Sequence, residues 1–325
     1  MPIRNLVTGG AGFIGSHLVE HLVARGESVT VWDDLSTGRV SNLSRVRDDI
    51  TTIFSDINTD AALLDTVIQR VDVVYHLAAA VGVDLVVNRP IQSMRTNIAL
   101  AELVIETCAK YRRPMFLAST SEVYGKSTRV PFQEDDDVCY GATTKHRWSY
   151  AMSKAIDEFY LLCYSDMFGL PGVAGRLFNT VGPRQVPFHG MVLPRFIHQA
   201  LTGQPITVYG DGNQRRCFTH VADIVPAIVR LVHCCEASGQ IVNLGSSEEI
   251  SILDLAHRVK DKTKSESPIV HVPYELAYRD GFEDLLRRVP DTSKAKRLVD
   301  FKVTRSMDNI LCDAITHERA AMSGA

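Results

Sequence analysis

Apolar runs and apolar residues at helical spacing alternate through the first half of the chain. The runs predict strands over Ile3–Thr8, Ser28–Trp32, Asp72–Leu77 and Pro114–Ala118. Between the first two, Ile14, Leu18 and Leu22 recur on one helix face and predict a helix over Gly15–Arg25. A further helix is predicted over Asn97–Tyr111. Strands separated by helices favour an α/β fold with a doubly wound, parallel sheet.

The second half has a different pattern, because prolines and a glycine-rich turn divide it into short segments. The prolines that begin this pattern are Pro183, Pro187, Pro194 and Pro205. Helices are still predicted over Val225–His233 and Ile252–Lys262. We therefore expect a smaller C-terminal lobe, built partly from segments that return to the sheet.

Composition and charge narrow the classes of partner. The chain has 325 residues, of which 45% are hydrophobic and 22% charged, a composition that is ordinary for a globular protein. Its formal net charge of −3 argues against nucleic-acid or anionic-membrane partners. No apolar run approaches the length of a membrane span, and because a strand and glycines follow Met1 closely we expect no secretory leader. The seven cysteines are scattered and lack metal-ligand spacing, so we expect reduced thiols, a cytoplasmic protein and no metal.

A glycine-rich segment predicts a dinucleotide site. Residues 8–15 read TGGAGFIG between the first strand and the first helix. Close glycines let the backbone approach a pyrophosphate, and the helix N-terminus offers unpaired N–H groups. Asp33 lies 18 residues after Gly15, at the end of the second strand. A carboxylate there binds ribose hydroxyls and repels a 2′-phosphate, which favours NAD over NADP. The glycine segment and Asp33 together indicate a Rossmann-type sheet.

Two further segments carry groups for acid–base chemistry. Tyr150 and Lys154 are four residues apart, so on a helix they share a face, and the ammonium would lower the pKa of the phenol. A phenolate can then act as a general base. Thr120, Ser121 and Glu122 follow the predicted strand that ends at Ala118, where side chains face the ligand crevice of such a sheet.

Taken in order, the motifs resemble those of the extended short-chain dehydrogenase/reductases, in particular the NAD-dependent epimerase/dehydratase family. They are TGGAGFIG, Asp33, HLAA at 76–79, STSEVYG at 119–125, YAMSK at 150–154 and LFNTVGPR at 177–184. The resemblance covers nearly the whole chain. It implies residues 1–176 as an NAD-binding Rossmann domain, with returning segments around 215–245. Residues 177–325 would then form mainly a nucleotide-sugar-binding lobe.

By motif match, the resemblance also implies individual roles. Tyr150 would be the base at sugar C4, with Thr120 beside the C4 oxygen and Lys154 on the nicotinamide ribose. The remaining cofactor contacts would be Gly9, Gly12, Phe13, Ile14, Gly15, Asp33, Asp56, Ile57, Leu77 and Ala78. The family keeps NAD bound: hydride leaves C4, a 4-keto sugar reacts, and hydride usually returns.

The segment before Tyr150 and the second half indicate which sugar. Residues 145–150 (KHRWSY) resemble UDP-apiose/xylose synthases and the aminoarabinose-pathway decarboxylase, in which an arginine at the place of Arg147 turns toward a uronate. Residues 206–218, 278–284 and 287–291 resemble UDP-xylose synthases, which implies that the nucleotide and diphosphate contacts are Asn179, Thr207, Tyr209, Arg216 and Arg288. The expected substrate is therefore UDP-glucuronate, decarboxylated through a C4-keto intermediate to UDP-xylose or the 4-keto pentose.

Two other reactions of the family stay open. Glu122 is shared with 4,6-dehydratases. The loop 80–90 has Val86 where decarboxylases of this group tend to carry a tyrosine, and the loop resembles that of 4-epimerases more closely. Asp84 in the same loop would repel a substrate carboxylate if it faced the site. Because an ionised Glu122 would also oppose a uronate, we expect it to be protonated, bridged by water, or turned aside after C4 oxidation.

The resemblance further implies a homodimer that pairs two helices from each chain. The candidates are Ile98–Lys110 and Tyr150–Phe168, whose apolar residues include Phe159, Leu161, Leu162 and Phe168. The same side chains could instead pack on the sheet.

Overall fold

A computed structural model of the chain describes residues 1–80, 90–187, 191–277 and 285–324. Its strands are β1 Arg4–Thr8, β2 Ser28–Asp33, β3 Ile50–Phe54, β4 Val73–His76, β5 Met115–Thr120, β6 Gly172–Leu177, β7 Thr180–Val181, β8 Ile206–Tyr209, β9 Arg215–Cys217, β10 Thr219–His220, β11 Gln240–Leu244, β12 Glu249–Ser251, β13 Ile269–Val272 and β14 Arg287–Arg288. Its α-helices are α1 Phe13–Ala24, α2 Ala61–Arg70, α3 Pro90–Lys110, α4 Trp148–Phe168, α5 Val192–Leu201, α6 Val221–Val232, α7 Ile252–Thr263, α8 Tyr274–Ala277, α9 Ser293–Val299 and α10 Met307–Met322.

A seven-stranded parallel sheet forms the centre of the molecule, in the order β11-β6-β5-β4-β1-β2-β3. This confirms the predicted doubly wound α/β fold. The predicted strands differ from the observed ones by one or two residues at their ends. The helix predicted over Asn97–Tyr111 is observed over Pro90–Lys110. It starts earlier than predicted, at a proline, which is favoured in the first turn of a helix.

Alternation along the strands divides the core between the two faces of the sheet. Leu6 of β1 packs with α2, α3 and α4, whereas the next residue, Val7, packs with α1, α6 and α9. Both faces are therefore covered, as a parallel sheet requires. Helix α6 and strand β11 come from the second half of the chain and return to this sheet, where β11 pairs with β6.

A second core lies in the later part of the chain. Phe196 of α5, Leu255 of α7 and Leu311 of α10 pack together with strands β8 and β13. Strand β9 does not return to the large sheet, because it pairs with β12 and β14 in a separate three-stranded sheet. That sheet brings Arg216 and Arg288 side by side in register.

A buried polar network joins α4 to β5 and β6. Arg176 of β6 donates two hydrogen bonds to Glu158 of α4, at 2.9 and 2.7 Å, and the Ser119 hydroxyl of β5 donates to the same carboxylate at 2.5 Å. The guanidinium also lies over the ring of Tyr124, whose hydroxyl donates to Asn243 at 2.8 Å. These polar groups sit inside the fold and satisfy one another, so α4 is fixed relative to the ends of β5 and β6.

Within the described ranges of the chain, no helix is long and apolar enough to cross a membrane. All seven cysteines are free thiols. No group of three or more potential ligands that could hold a metal ion occurs among the described residues.

Glu158→Gln should destabilise the fold strongly, because Arg176 and Glu158 are each only 4% exposed and the substitution leaves a buried guanidinium without its charge partner. We expect a loss of about 3–5 kcal/mol in the free energy of unfolding, measured by urea denaturation. Lys302→Gln is the matched control, since the Lys302–Asp300 pair is 63% and 72% exposed and such pairs contribute about 1 kcal/mol or less. Equal losses in the two variants would contradict the structural role of the network.

Candidate active site

One large cavity of about 850 Å³ opens at the carboxyl ends of the central strands and extends toward the second core. Nearly all the residues singled out from the sequence line it. They are Gly9, Gly12, Phe13, Ile14, Gly15, Asp33, Asp56, Ile57, Leu77, Ala78, Thr120, Ser121, Glu122, Arg147, Tyr150, Lys154, Asn179, Tyr209, Arg216 and Arg288. A crevice at this edge of a parallel sheet is the usual ligand site of such folds.

The glycine segment turns tightly from β1 into α1. Gly9 has φ +70°, a conformation that favours glycine, and a side chain there would collide with the backbone of Ala78 after β4. A side chain on Gly15 would collide with the Gly9 carbonyl. No side chain caps the first turn of α1 within the described structure, and Phe13, Ile14 and Gly15 of that turn line the cavity, where their N–H groups could donate to an anionic diphosphate. The backbone here fits a dinucleotide.

Asp33 lies at the end of β2 beside this turn. Its carboxylate accepts hydrogen bonds from the backbone N–H groups of Ala11 at 2.9 Å and Leu35 at 2.8 Å. Burial raises the pKa of Asp33, and these two hydrogen bonds act in the opposite direction. The carboxylate therefore organises the glycine loop in addition to lining the cavity.

The predicted adenine-side segment is held by a local turn. Asp56 accepts a hydrogen bond from the backbone N–H of Asn58 at 2.9 Å and begins the short 3₁₀ turn Ile57–Thr59. Leu77 and Ala78 leave β4 directly beside the Gly9 turn, and Ala78 donates its N–H to the Thr8 hydroxyl at 3.4 Å. The segments predicted to surround the cofactor therefore lie together along one wall.

Tyr150 and Lys154 lie on one face of α4, opposite the end of β5. The Tyr150 and Thr120 hydroxyls are hydrogen-bonded to each other. Burial raises the pKa of Tyr150, the charges of Glu122 and Asp157 raise it further, and the Thr120 hydrogen bond only partly offsets them. Lys154 donates to Asp157 at 2.8 Å. Burial and the two carboxylates therefore outweigh the lowering of the Tyr150 pKa by Lys154 that the sequence predicted, and one of those carboxylates, Asp157, was not singled out from the sequence.

Glu122 is held between two arginines. Arg147, immediately before α4, donates from one Nη to both Glu122 oxygens at 3.0 and 3.3 Å, and Arg288 of β14 forms an ion pair with the same carboxylate. Burial opposes ionisation of Glu122, but the charges of Arg147, Arg288 and Arg216 outweigh it and bring the pKa to about 2. Of the three states expected for Glu122, the protonated one does not hold in this structure, since the two guanidinium groups stabilise the carboxylate.

Of the five residues predicted to contact the nucleotide and diphosphate, four line the cavity and one does not. The Asn179 side-chain amide donates to the Cys217 carbonyl at 3.0 Å, and Arg216 donates to the Arg215 carbonyl at 2.8 Å. Tyr209 presents its ring to the guanidinium of Arg195, 3.9 Å from the ring centroid. Thr207 is the exception, because its hydroxyl accepts from Gln199 at 2.9 Å and the residue does not line the cavity in the described part of the chain.

The sequence reading missed several cavity residues. Arg195 reaches the cavity from α5, and Asn42 lines it while donating to the Ala11 carbonyl at 2.8 Å. Neither belongs to a motif with a chemical signature. The expectations for Asp84, Val86 and residues 278–284 fall outside the described residues.

Comparison with known proteins agrees with this geometry. The sequence profile of the GDP-mannose 4,6 dehydratase family matches residues 6–314. A UDP-N-acetyl-alpha-D-glucosaminuronate decarboxylase of Bacillus cytotoxicus is 42% identical over 317 residues, covering 97% of each chain. UDP-glucuronic acid decarboxylase 1 of Danio rerio is 35% identical over 299 residues, which are 92% of this chain and 68% of the relative.

Solved structures of enzymes with this fold are also similar. The epimerase Mth375 of Methanothermobacter thermautotrophicus superposes with a TM-score of 0.91 at 29% identity, covering 99% of this chain and 94% of that one. The dTDP-glucose 4,6-dehydratase DesIV of Streptomyces venezuelae, solved with NAD bound, has a TM-score of 0.89 at 27% identity and coverage of 99% and 98%. The chain therefore belongs to the GDP-mannose 4,6-dehydratase-like family of NAD-dependent epimerases and dehydratases.

Proposed function

We propose that this enzyme decarboxylates a UDP-linked glucuronic acid through a C4-keto intermediate. The observation that carries the proposal is the Glu122–Arg147–Arg288 cluster beside Tyr150. A uronate needs a cation with good hydrogen-bond geometry to offset the cost of removing its carboxylate from water. Arg147 is buried next to the tyrosine face of α4 and can supply it.

Several guanidinium groups around the sugar support an anionic substrate. The charges of Arg147, Arg216 and Arg288 all act on Glu122, so the three lie close together in this part of the cavity. Such a group of cations suits a ligand with a diphosphate and a further carboxylate. A neutral hexose would offer the diphosphate only.

The residues present fit NAD, which when bound would take the hydride from sugar C4. The glycine turn and the first turn of α1 would hold the diphosphate, Asp33 the adenosine ribose, and Lys154 the nicotinamide ribose. Tyr150 would accept the proton of the C4 hydroxyl, with Thr120 holding the same oxygen. The resulting 4-ketone makes the substrate a β-keto acid, so the C4 carbonyl can receive the electron pair when the C5–carboxyl bond breaks and carbon dioxide leaves.

Glu122 has a defined place in this scheme. Its ionised carboxylate competes with the substrate for Arg147, and it would repel a uronate placed close to it. Bound substrate would therefore carry an unfavourable interaction that is relieved when carbon dioxide departs, which is a form of ground-state destabilisation.

The sequence analysis predicted UDP-glucuronate. The Bacillus cytotoxicus relative, at 42% identity, is named for the uronate that bears an N-acetyl group, and the Danio rerio relative, at 35%, for the unsubstituted one. Both relatives act on a UDP-linked uronate, which supports the reaction. On the greater similarity, we propose that the N-acetylated uronate is the better substrate of the two.

The decisive experiment uses the two UDP-linked uronates labelled at the carboxyl carbon. Wild type should release labelled carbon dioxide, and Arg147→Ala should lower kcat/KM by about 10–100-fold, the range for losing a hydrogen bond to a charged group. Tyr150→Phe should lower the rate by about 10²–10⁴-fold while retaining cofactor and substrate. Arg305→Ala, at an arginine 42% exposed, is the control and should leave the rate unchanged.

The two alternative reactions give different products. If the labelled uronate is converted to its C4 epimer with the carboxyl group intact, the protein is a 4-epimerase. If it instead removes water from a neutral nucleotide hexose, it is a 4,6-dehydratase. Either result contradicts the proposed decarboxylation.

We expect NAD to be preferred to NADP because the Asp33 carboxylate lies at the cofactor wall. Asp33→Ala should weaken NAD binding at least tenfold and narrow the ratio between the two cofactors, measured by calorimetry on cofactor-stripped protein. Asp48→Ala, at an exposed carboxylate, is the control. Tighter binding of NADP than of NAD by wild type would overturn the assignment.

We also propose a homodimer built on α3 and α4. Leu161 packs in the core, but a row of apolar side chains on α4 stays exposed, namely Met152, Ile156, Phe159, Met167 and Phe168. Wild type should scatter light as a particle of twice the 36.0 kDa chain mass, and Phe159→Glu should be monomeric. Val270→Glu, on another exposed surface, should stay dimeric, and a 36.0 kDa wild-type particle would refute the dimer.

The seven free thiols fit the reducing cytoplasm, which fractionation of cells expressing the chain would test.

A further inference from the structure

Helix α1, which begins at the glycine turn, is held from the other side of the cavity. Glu20 of α1 forms an ion pair with Arg184, whose Nη2 lies 2.5 Å from Oε1 of the carboxylate. His17, one turn earlier, donates from Nε2 to the Pro183 carbonyl at 3.0 Å, since a carbonyl can only accept. Residues three apart share a helix face, so both contacts hold the same face of α1.

That face of α1 continues to the cofactor wall. Phe13, in the first turn of the helix, lines the cavity, and its ring meets the His17 ring edge-on with 5.9 Å between the centroids. Burial lowers the pKa of His17 to about 4, so near neutral pH the imidazole makes its contacts without a charge. The position of α1, and with it the N–H groups proposed to hold the diphosphate, is therefore tied to Pro183 and Arg184.

Pro183 and Arg184 belong to a bridging segment, residues 179–185, that also forms part of the cavity wall. Its members that line the cavity are Asn179, Thr180, Val181, Arg184 and Gln185. The segment is held to β9 on its other side, because the Asn179 amide donates to the Cys217 carbonyl at 3.0 Å. One short stretch of backbone therefore contacts both α1 and the part of the cavity where the nucleotide sugar is proposed to bind.

The conformation of Arg184 indicates that its side chain has a specific use. Its φ is +71°, in the left-handed region that glycine and asparagine adopt readily and a bulky side chain does not. The side chain is only 10% exposed, and its Nη1 is buried without a hydrogen-bond partner among the described residues. Both features are unfavourable, and backbone strain of this kind is concentrated at sites that clamp ligands.

We propose that Arg184 and Glu20 are positioning residues that align helix α1 with the bridging segment, so that the cofactor and the nucleotide sugar strengthen each other's binding. This inference rests on the proposed binding of NAD and a UDP-linked sugar on the two sides of the pair. Each ligand would order one partner of the pair. The second ligand would then bind to a site that the first has already ordered, and less conformational freedom would be lost on its binding.

The test is calorimetry of NAD binding to cofactor-stripped protein, with and without saturating UDP. In wild type, UDP should lower the Kd of NAD by at least about fivefold, the lower end of ordinary coupling between two sites. In Glu20→Gln and in Arg184→Asn, UDP should leave the Kd of NAD nearly unchanged. Asparagine is chosen because it tolerates the left-handed backbone at this position. The ratio of the two Kd values does not depend on the fraction of folded protein, which affects both measurements equally.

Arg25→Asn is the matched control. It makes the same substitution just beyond the far end of α1, where Arg25 is 47% exposed and pairs with Glu27 at 2.7 Å. The coupling should stay at the wild-type value, because this pair does not contact the bridging segment. An equal loss of coupling in Arg25→Asn would show a general property of the helix and would contradict the proposal.

Three other results would also overturn it. Undiminished coupling in Glu20→Gln would show that the pair does not carry the effect. Loss in Arg184→Asn alone would mean that the arginine acts on a ligand directly, since Arg184 lines the cavity and Glu20 does not in the described part of the chain. UDP that binds wild type without changing the Kd of NAD would refute the inference and leave the decarboxylation assay unaffected, whereas failure of UDP to bind would contradict the proposed substrate as well.

A further variant covers the case in which the single substitutions do not fold. Glu20→Met/Arg184→Met replaces the pair as a unit, a change that is often tolerated because no unpaired charge is left buried. The coupling should be lost in this protein too, and full coupling between UDP and NAD would refute the role of the pair.

Discussion

The buried pair between Arg176 and Glu158 is the interaction on which the active-site geometry depends. It ties α4 to β6, and the Ser119 hydroxyl extends the tie to β5. Tyr150 and Lys154 are carried by α4, and Thr120 and Glu122 by the end of β5, so the distance between these groups is set by that network. Its bidentate geometry restrains rotation as well as translation of the helix, which a single hydrogen bond does not.

A second tie brings the two cores together at the same place. Glu122 follows the central sheet, whereas Arg288 belongs to the three-stranded sheet formed with β9 and β12. The carboxylate therefore both helps to close the cavity and occupies the arginines that a uronate would use. The arginines that would bind the substrate also pair with Glu122 between the two cores. Changes at Glu122 should therefore affect substrate affinity and the contact between the cores together.

The comparisons show how one scaffold serves several reactions. The chain superposes closely on an epimerase and on a dehydratase, although the two curated relatives described above are named as decarboxylases. In the proposed mechanism the cofactor wall and the tyrosine–lysine face would perform the oxidation at C4, and a few side chains around C5 would decide the fate of the ketone. Fold similarity alone does not specify those side chains.

The sequence by itself determined the parallel sheet, the glycine turn and the order of the motifs, because these are encoded in contiguous residues whose spacing fixes local backbone geometry. It also indicated that Tyr150 and Lys154 share a helix face. Only the tertiary structure decided the charge states. Arg288 and Glu122 are 166 residues apart in the chain, and nothing in either segment shows that they meet. The same holds for burial: Asp157 reads as an ordinary polar helix residue, yet packing encloses it 2.8 Å from the ammonium of Lys154. Thr207 shows the converse, since its motif places it near the nucleotide but Gln199 holds its hydroxyl outside the cavity. Electrostatics depends on distance and solvent access in three dimensions, which sequence spacing does not contain.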